Sequence, residues 1–399
     1  MEIREYRKDC IIVELSNTGH RVSLYLDLNA KAARQAGFNV EVYTSSSAFD
    51  TDEFQVFKNN HPNIKITPLS SRWFNSSEST SNQLRLFFLQ AMRVKKIKKA
   101  LKHEKDKTIV FNTFDDFVFG FCFFTTTRDI QLRAIFVSPK MRMMKGLGLK
   151  ALKNVVTTTL FYFASKRFYS SKSILIIDEI FDSYIDNSKI LDNIRDQVRL
   201  INDVGEVDHI YDQSDNIDNK TSLTILVYGS LTLRKGIEPL LKSVTGEEFN
   251  FNIEVILAGS PDKEVLDLLN SYVVPKKVTI TRHLGYVSQK LESQLFNNCD
   301  IVWLGYSKKF VSSSGVLYQA WSAGKPVIAC SHGLIGARVK KNAAGITVDI
   351  DNITEIKKAV FLLGQKTYEY EKLKSNADIA GKNFTKIAFM NSLLDSIYA

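Results

Sequence analysis

The N-terminal part of the chain alternates between short apolar runs and a longer run of helical spacing. Residues 10–15 are mostly apolar and of strand length, and the polar residues 16–19 separate them from residues 20–36. In this longer run apolar side chains recur at helical intervals, and Gly37 follows it as a helix-ending residue. Residues 40–44 are the next apolar run. The pattern predicts a strand, a helix and a second strand, the unit from which parallel sheets are built.

The same alternation continues on both sides of a polar interruption. Before it, strand-length apolar runs occur at residues 64–66, 108–112, 132–137 and 174–177. Around residues 205–221 acidic residues crowd with Asn and Ser, which is typical of a linker. After it, such runs recur at residues 223–228, 253–257, 278–281, 301–304 and 327–330. The order predicts an α/β protein with two doubly wound, Rossmann-like domains that face a cleft and hold the ligand between them.

The length of the chain also favours two domains. With 399 residues, of which 44% are hydrophobic, the chain exceeds one ordinary core and has enough apolar material for two. We expect residues 1–205 to form the first domain, 206–221 the linker and 222–370 the second domain. Residues 371–399 look helical and are expected to pack back on the first domain.

Cysteine usage and hydropathy bear on the cellular compartment. The four cysteines lie far apart without a CxxC pair, and no histidine cluster accompanies them, so neither a disulfide framework nor a zinc site is expected. A reducing cytosol fits this usage. The first ten residues are too charged for a cleavable leader, and the longest apolar run, residues 155–164, is about half a membrane span. We expect a cytoplasmic protein, either soluble or peripheral on the inner face of the membrane.

Positive charge is concentrated in two stretches, within a formal net charge of +10. From Ser81 to His103 apolar positions follow helical spacing, and seven Lys and Arg residues lie between them without an acidic neighbour. From Lys140 to Lys172 there is again no acidic residue, and Met and aromatic side chains are interspersed. Such stretches suit an anionic membrane surface, or else the solvated face of a basic protein. Nucleic acid is not expected, because no recognised binding motif accompanies the charge.

A polar turn leads directly into an apolar helical run, residues 316–323, which Gly324 and Pro326 terminate. The unpaired backbone N–H groups at the start of such a helix form an anion site that suits a phosphate. Residues 327–330 read as a buried strand, so the turn is a loop of the α/β sheet, where ligands bind. A plain helix N-cap is the alternative interpretation. The turn consists of Ser312, Ser313, Ser314 and Gly315.

Six motifs in the second half occur in the order and spacing of the nucleotide-binding domain of GT-B glycosyltransferases. They are residues 226–237, 256–259, 284–286, 299–303, 320–329 and 344–348. Together they resemble the large retaining group called glycosyltransferase family 4, over roughly residues 223–350. The first domain resembles that family loosely, through the loop of Gly19, His20 and Arg21 after the first strand.

The resemblance implies that a UDP- or GDP-linked sugar binds the second domain. Lys235, with Arg234 beside it, would balance the charge that grows on the diphosphate as the glycosidic bond breaks; a surface lysine is the alternative. The serine turn would donate hydrogen bonds to the same diphosphate. Gln319 would hold the ribose hydroxyls where family members often have a carboxylate. The predicted donor-binding residues are Gly19, Gly229, Ser230, Lys235, Leu284, Gly285, Tyr286, Ser312, Ser313, Ser314, Gly315, Val316 and Gln319.

The predicted catalytic residues are Lys235, Arg234, His20 and Asp115. In this fold a retaining transfer is thought to proceed on one face of the sugar, with the leaving phosphate deprotonating the incoming hydroxyl, so that no protein nucleophile is required. His20 and Asp115 lie at predicted strand ends and would place the acceptor, although a helix cap or surface turn explains them equally well. The histidine that the family usually has after the strand ending at Asn112 is not evident.

Two departures from the family pattern remove charge. Val311 and Gln319 stand where the family commonly has glutamates eight positions apart, and Ser230 replaces an expected arginine. Loss of a carboxylate beside a diphosphate removes repulsion, and Arg234 could supply part of the missing positive charge. The chain could therefore be an active variant with a serine-rich phosphate turn, use an unusual donor, or keep binding without chemistry.

The expected function is transfer of a sugar to a hydroxyl of a glycan or lipid-linked acceptor in surface polysaccharide synthesis. A nucleotide-sugar epimerase of the same fold and a non-catalytic donor- or lipid-binding scaffold are the alternatives. No cofactor or metal is expected. The two Asp-x-Asp pairs, Asp50 with Asp52 and Asp349 with Asp351, lie in loop-like polar stretches and are not taken as metal sites.

Overall fold

A computed structural model of the chain describes residues 8–15, 21–48, 50–70, 73–74, 83–123, 130–137, 149–205, 222–244 and 249–399. The predicted linker at residues 206–221 lies outside these ranges, as do Gly19 and His20. The chain divides into two compact units, one reaching Asp203 and including Lys386–Ala399, the other spanning Val204–Thr385.

The first unit is built on a seven-stranded parallel sheet in the order β3-β2-β1-β4-β5-β6-β7. Its strands are β1 (Asp9–Glu14), β2 (Asn39–Ser45), β3 (Lys65–Leu69), β4 (Lys107–Phe111), β5 (Gln131–Phe136), β6 (Ile174–Ile176) and β7 (Val198–Leu200). The apolar runs predicted six of these strands. The sequence reading missed β7, because three residues with an arginine in the middle show no clear apolar run.

Helices cover the strands of this sheet. They are α1 (Asp27–Gln35), α2 (Asp52–Asn60), α3 (Gln83–Ala100), α4 (Leu149–Ser165) and α5 (Glu179–Asp186). A π-helical turn, Arg21–Leu26, precedes α1, so the predicted helix is confirmed with a wider first turn. Phenylalanines from β4, β5, α4 and the turns between them form the core, with ring centroids mostly 5–6 Å apart and edge-to-face geometry common.

The second unit has a six-stranded parallel sheet in the order β10-β9-β8-β11-β12-β13. The strands are β8 (Ser222–Tyr228), β9 (Asn252–Gly259), β10 (Val278–Leu284), β11 (Ile301–Leu304), β12 (Val327–Cys330) and β13 (Gly345–Val348). In chain order this is the 3-2-1-4-5-6 arrangement of dinucleotide-binding folds, so the order reverses between β8 and β11. A ligand is expected beyond the carboxyl ends of these two strands.

The helices of the second unit are α6 (Ile237–Ser243), α7 (Lys263–Ser271), α8 (Gln289–Asn298), α9 (Gly315–Ser322), α10 (Gly333–Asn342), α11 (Ile353–Gly364) and α12 (Tyr368–Asn383). A last helix, α13 (Lys386–Leu394), belongs to the first unit and packs on α1, with Phe389 edge-on to Tyr25 at 5.7 Å. The predicted fold class, α/β with two doubly wound sheets, is confirmed. Within the described ranges no helix is long and apolar enough to cross a membrane.

A glycine-to-glycine contact fixes the loop at the end of β8. A Cβ built on Gly259 would lie 1.9 Å from the carbonyl oxygen of Gly229, and Gly259 has φ +132°. Only glycine fits both conditions. The Gly229 amide also donates to the Ala258 carbonyl at 2.9 Å, so the ends of β8 and β9 are held together.

Candidate functional site

Lys235 is a buried cation just after β8. It ends a short 3₁₀ turn, and the Trp303 indole N–H donates to its carbonyl at 2.9 Å. The side chain is 7% exposed, and its ammonium donates to the Tyr228 carbonyl. No carboxylate of the described residues lies within ion-pair distance of it. Burial, with Arg234 acting in the same direction, lowers the pKa of Lys235 from 10.5 to about 8. An anion placed here would satisfy this charge.

The start of α9 is the second element of the site. Ser314 occupies the N-cap position, but its side chain makes no capping hydrogen bond. Instead its hydroxyl lies 3.0 Å from the Tyr306 hydroxyl. The first backbone N–H groups of α9 therefore have no side-chain acceptor from the cap. The alternative of a plain helix N-cap therefore has no side-chain bond to support it, and the anion site at the serine turn stays a prediction.

Gly229 brings the lysine and the helix start together. A Cβ built on Gly229 would lie 3.1 Å from Lys235 Nζ and 3.8 Å from Val316 Cγ2, and the residue has φ +91°. The ammonium and the first turn of α9 thus flank the same side-chain-free backbone. The ring centroid of Tyr306 is 6.0 Å from the same ammonium. A buried cation beside a helix N-terminus is an arrangement that binds phosphate oxygens.

A buried arginine supports the serine turn from behind. Arg338 of α10 is fully buried and donates to the Ser313 hydroxyl at 2.8 Å and to the Tyr318 hydroxyl. The Ser313 and Tyr318 hydroxyls are 2.6 Å apart. Sequence reasoning missed Arg338, because it precedes Lys340 and Lys341 and resembles a surface cation. Ser312 is half-buried in the same turn.

A carboxylate from α8 also reaches this region. The Gln319 amide donates to Glu292 Oε1 at 3.1 Å, and the Tyr228 hydroxyl donates to Glu292 Oε2. Burial and the bond to Glu292 raise the pKa of Tyr228 above its ordinary value. Glu292 was not predicted, since nothing in the α8 sequence distinguishes it from an exposed helical glutamate.

The remaining predicted donor residues are more exposed. Ser230 and Arg234 face solvent, and the Arg234 guanidinium lies 5.1 Å from the Phe310 ring centroid. Gly285 has φ +105°, and its amide donates to the Gly259 carbonyl at 2.9 Å. This turn projects Leu284 and Tyr286 outward, and Tyr286 is 92% exposed. The predicted base-contacting loop is therefore anchored at its glycine and open at its side chains.

The first unit has its own polar cluster at the ends of β1 and β4. Glu14 is buried, accepts hydrogen bonds from the side chains of Asn112 and Thr113, and has a pKa raised by burial. Arg21 pairs with Asp116 at 2.9 Å. The predicted donor-binding residue Gly19 and the predicted acceptor-placing residue His20 lie outside the described ranges.

The predicted catalytic residue Asp115 makes a structural bond in this cluster. Its carboxylate accepts a hydrogen bond from the Val137 amide at 2.8 Å, which ties it to the end of β5. Sequence reasoning missed Glu14 of the same cluster, and it named Arg21 only as part of the loop after the first strand, without a role in the site. The end of an apolar strand gave no sign that the Glu14 carboxyl group is buried.

The Asp-x-Asp pair in the second unit has a local explanation. Lys308 contacts Asp349 at 3.0 Å and Asp351 at 2.7 Å. Among the residues that the structure describes, no three His, Cys, Asp or Glu side chains group as metal ligands. Asp52 begins α2 and Asp50 lies in the turn before it.

Comparison with known proteins gives a family match for part of the chain and a fold for the whole of it. Residues 209–379 match the family described as Glycosyl transferases group 1. No curated protein sequence matches the chain. HepE of Anabaena in complex with UDP is 15% identical, with 98% of this chain and 99% of that chain covered and a TM-score of 0.61.

Two further solved structures show the same likeness. Sucrose-phosphate synthase from Thermosynechococcus elongatus is 14% identical, covers 98% of each chain and has a TM-score of 0.63. WaaG, a glycosyltransferase involved in lipopolysaccharide biosynthesis, is 12% identical, with 97% of this chain and 99% of that chain covered and a TM-score of 0.54. At these identities the likeness shows the fold alone, which is the two-domain GT-B fold.

Proposed function

We propose that the chain transfers a sugar from a nucleoside diphosphate donor to a hydroxyl acceptor, because residues 209–379 match the group 1 glycosyl transferases and the chain has the GT-B fold. The observation that carries the proposal is the buried Lys235 ammonium facing the start of α9 across Gly229. The structures of HepE with UDP and with UDP-glucose support a UDP-linked donor. We take the acceptor to be a glycan or lipid-linked sugar of surface polysaccharide synthesis, as WaaG acts in lipopolysaccharide biosynthesis.

The proposed reaction breaks the bond between the sugar C1 and the β-phosphate oxygen. The acceptor hydroxyl oxygen bonds to C1 on the same face, its proton passes to the leaving phosphate, and the configuration is retained. Lys235 and the N–H groups of α9 stabilise the negative charge that develops on the diphosphate, which is where preorganised donors lower a barrier most. Because an ammonium and a helix N-terminus provide this stabilisation, the proposed mechanism includes no metal.

Donor turnover by the purified chain tests this proposal. A thermal-shift panel of UDP- and GDP-sugars first identifies the donor, since a ligand that binds only the folded state raises the melting temperature. Hydrolysis and transfer are then measured for the wild type and for Lys235→Ala, with Lys242→Ala on exposed α6 as the matched control. We expect Lys235→Ala to lose roughly tenfold to hundredfold in kcat/KM, because hydrogen bonds to charged groups contribute roughly 1.5–3 kcal/mol. An unchanged kcat/KM in Lys235→Ala would contradict the proposal.

The same assay separates the alternative functions. A scaffold would bind the donor without turnover for any acceptor, and an epimerase would interconvert UDP-sugars without an acceptor. The motif positions Ser230, Val311 and Gln319 motivate the scaffold reading because they lack charge. Charged groups do occupy this region, however, from Arg338 and Glu292 on neighbouring helices, and this favours the active variant.

We further propose that α3 docks the enzyme on an anionic membrane at the cytoplasmic face. One surface of α3 exposes Phe88 at 52% together with a row of cations. One cation of the predicted stretches does not belong to this surface, because Arg93 is buried and donates to the Trp73 carbonyl. Residues 81–82 and 138–148 lie outside the described ranges. The exposed cations are Arg85, Lys95, Lys96, Lys98, Lys99 and Lys102.

Sedimentation with vesicles tests the membrane proposal. The wild type should pellet with phosphatidylglycerol vesicles at low salt, pellet less at high salt, and stay in solution with phosphatidylcholine alone. Reversing Lys98 and Lys99 to Glu should reduce pelleting, since each cation near such a surface contributes about 1 kcal/mol. Reversing Lys372 and Lys374 on exposed α12 is the control. Indifference to lipid charge and to salt would rule the surface out.

A further inference from the structure

The Glu292 carboxylate is fixed at the edge of the diphosphate site by two neutral donors. Its oxygens accept hydrogen bonds from the Gln319 amide at 3.1 Å and from the Tyr228 hydroxyl. The Tyr228 ring packs edge-on against Phe296 with centroids 5.1 Å apart, which holds the phenol in place. Residues of three elements, β8, α8 and α9, therefore define where this carboxylate lies.

Both partners of Glu292 also belong to the elements that form the diphosphate site. Tyr228 is the last residue of β8, and its carbonyl accepts the hydrogen bond from the Lys235 ammonium. Gln319 lies one helical turn after Gly315, on the same face of α9. Tyr228 thus links the carboxylate to Lys235, and Gln319 links it to the first turns of α9. In a nucleoside diphosphate the ribose directly follows the α-phosphate, so a group at this edge meets the ribose.

The negative charge of this carboxylate determines which groups of a ligand it can bind. A carboxylate repels a phosphate, so its favourable neighbours in the ligand are uncharged hydrogen-bond donors. The two hydroxyls of a ribose are such donors, and an ionised carboxylate has about four acceptor sites. A carboxylate that binds ribose hydroxyls beside a pyrophosphate site recurs in dinucleotide-binding folds.

We propose that Glu292 accepts hydrogen bonds from the ribose hydroxyls of the donor and makes the site selective for ribonucleotides over deoxyribonucleotides. The inference rests on the proposed function. It assigns binding of the ribose hydroxyls to a carboxylate of α8, because α9 has an amide, Gln319, where family members often have a carboxylate. Gln319 then acts as a positioning residue that orients the carboxylate. If Glu292 had a purely structural role and only tied α8 to β8 and α9, replacing it would weaken the binding of all nucleotides equally.

Calorimetric titration of the full chain distinguishes these roles. The probes are UDP and 2′-deoxy-UDP, with GDP and 2′-deoxy-GDP as the second pair. The proteins are the wild type, Glu292→Ala, Glu292→Gln and, as a control for lost charge on an exposed helix, Glu264→Gln. We expect the wild type and the control to prefer the ribonucleotide by roughly tenfold to hundredfold, the effect of a hydrogen bond to a charged acceptor. In Glu292→Ala this preference should fall to about one, with little change for the deoxyribonucleotide, and Glu292→Gln should keep part of it.

Each outcome decides one question. A wild-type preference that persists in both Glu292 variants overturns the inference, and so does an equal loss for ribo- and deoxyribonucleotides. If Glu292→Ala does not fold, as judged by circular dichroism, the Glu292→Gln ratio carries the test. Failure of the wild type to bind any of the four nucleotides overturns the proposed function itself, which distinguishes that failure from failure of the inference alone.

Discussion

Replacing Lys235 with methionine should stabilise the second unit at neutral pH while removing donor binding. The lysine is buried, and its pKa is lowered from 10.5 to about 8 chiefly because burial disfavours its charge. At about 1.4 kcal/mol per pKa unit, the charged side chain costs the folded state about 3 kcal/mol at pH 7. Methionine has a similar length and carries no charge. Loss of the hydrogen bond to the Tyr228 carbonyl offsets part of the gain, by about 1 kcal/mol.

The pH dependence separates the charge from the lost hydrogen bond. Below pH 8 the lysine is protonated in both the folded and the unfolded state, so the wild type carries the full penalty. Between pH 8 and 10.5 the folded state releases its proton while the unfolded state keeps it, and wild-type stability therefore rises with pH. At pH 9.5 the remaining penalty is about 1.4 kcal/mol. The advantage of Lys235→Met should accordingly shrink by about 2 kcal/mol between pH 7 and pH 9.5.

Urea unfolding followed by tryptophan fluorescence measures this difference. Two of the three tryptophans, Trp303 and Trp321, lie in the second unit, so the signal reports mainly on it. Lys242→Met on the exposed face of α6 is the control and should show no such change with pH. If the free energy of unfolding of Lys235→Met exceeds that of the wild type by the same amount at pH 7 and pH 9.5, the claim that the substitution removes a buried charge is refuted. Retained UDP binding by this variant would refute the role of the lysine at the diphosphate site.

Three further changes test the surroundings of the site. At pH 8 about half of the free protein has a neutral Lys235, so binding of UDP should take up as much as about half a proton; calorimetry in buffers of different ionisation enthalpy measures the uptake, and Lys235→Met should abolish it. Gly259→Ala should destabilise the second unit by at least about 2 kcal/mol and weaken UDP binding, because its Cβ would collide with Gly229; urea unfolding and titration check both, and a normal melting curve would be contrary evidence. Asp115→Ala should cost about 1–3 kcal/mol in the first unit through the lost bond to Val137, and UDP affinity should stay at the wild-type value; a weakened affinity would contradict this placement.

Hydrophobic periodicity predicted the two sheets because parallel strands are buried on both faces and appear as continuous apolar runs. The apolar runs at residues 301–304 and 327–330 are examples, because β11 and β12 begin and end where these runs do. The edge strand β7 does not follow this rule. At the edge of the first sheet, β7 has only three residues, of which Arg199 points a donor to the Ser396 hydroxyl, and the pattern gave no sign of it.

Local sequence predicted the groups of the site that belong to one loop, but not those that come from distant segments. Gly229, Lys235 and the serine turn are each recognisable from their immediate neighbours. The two charged side chains that contact the turn and Gln319 come from α10 and α8, where a helical Arg or Glu is ordinarily solvated. Only the tertiary structure reveals that Arg338 donates to the Ser313 hydroxyl and that Glu292 accepts from the Gln319 amide.

This difference bears on how the departures from the family pattern should be judged. Ser230, Val311 and Gln319 lack charges expected at their positions, yet the structure supplies a cation to Ser313 and an anion to Gln319 from elsewhere. A ligand responds to the charge present at a point in space, whichever segment of the chain provides it. A buried charge also costs stability unless it is used or satisfied, and in the described part of the chain Lys235 has only a backbone carbonyl as its hydrogen-bond acceptor. A chain that had lost donor binding would gain stability by losing this lysine, so the presence of Lys235 supports the proposed diphosphate site.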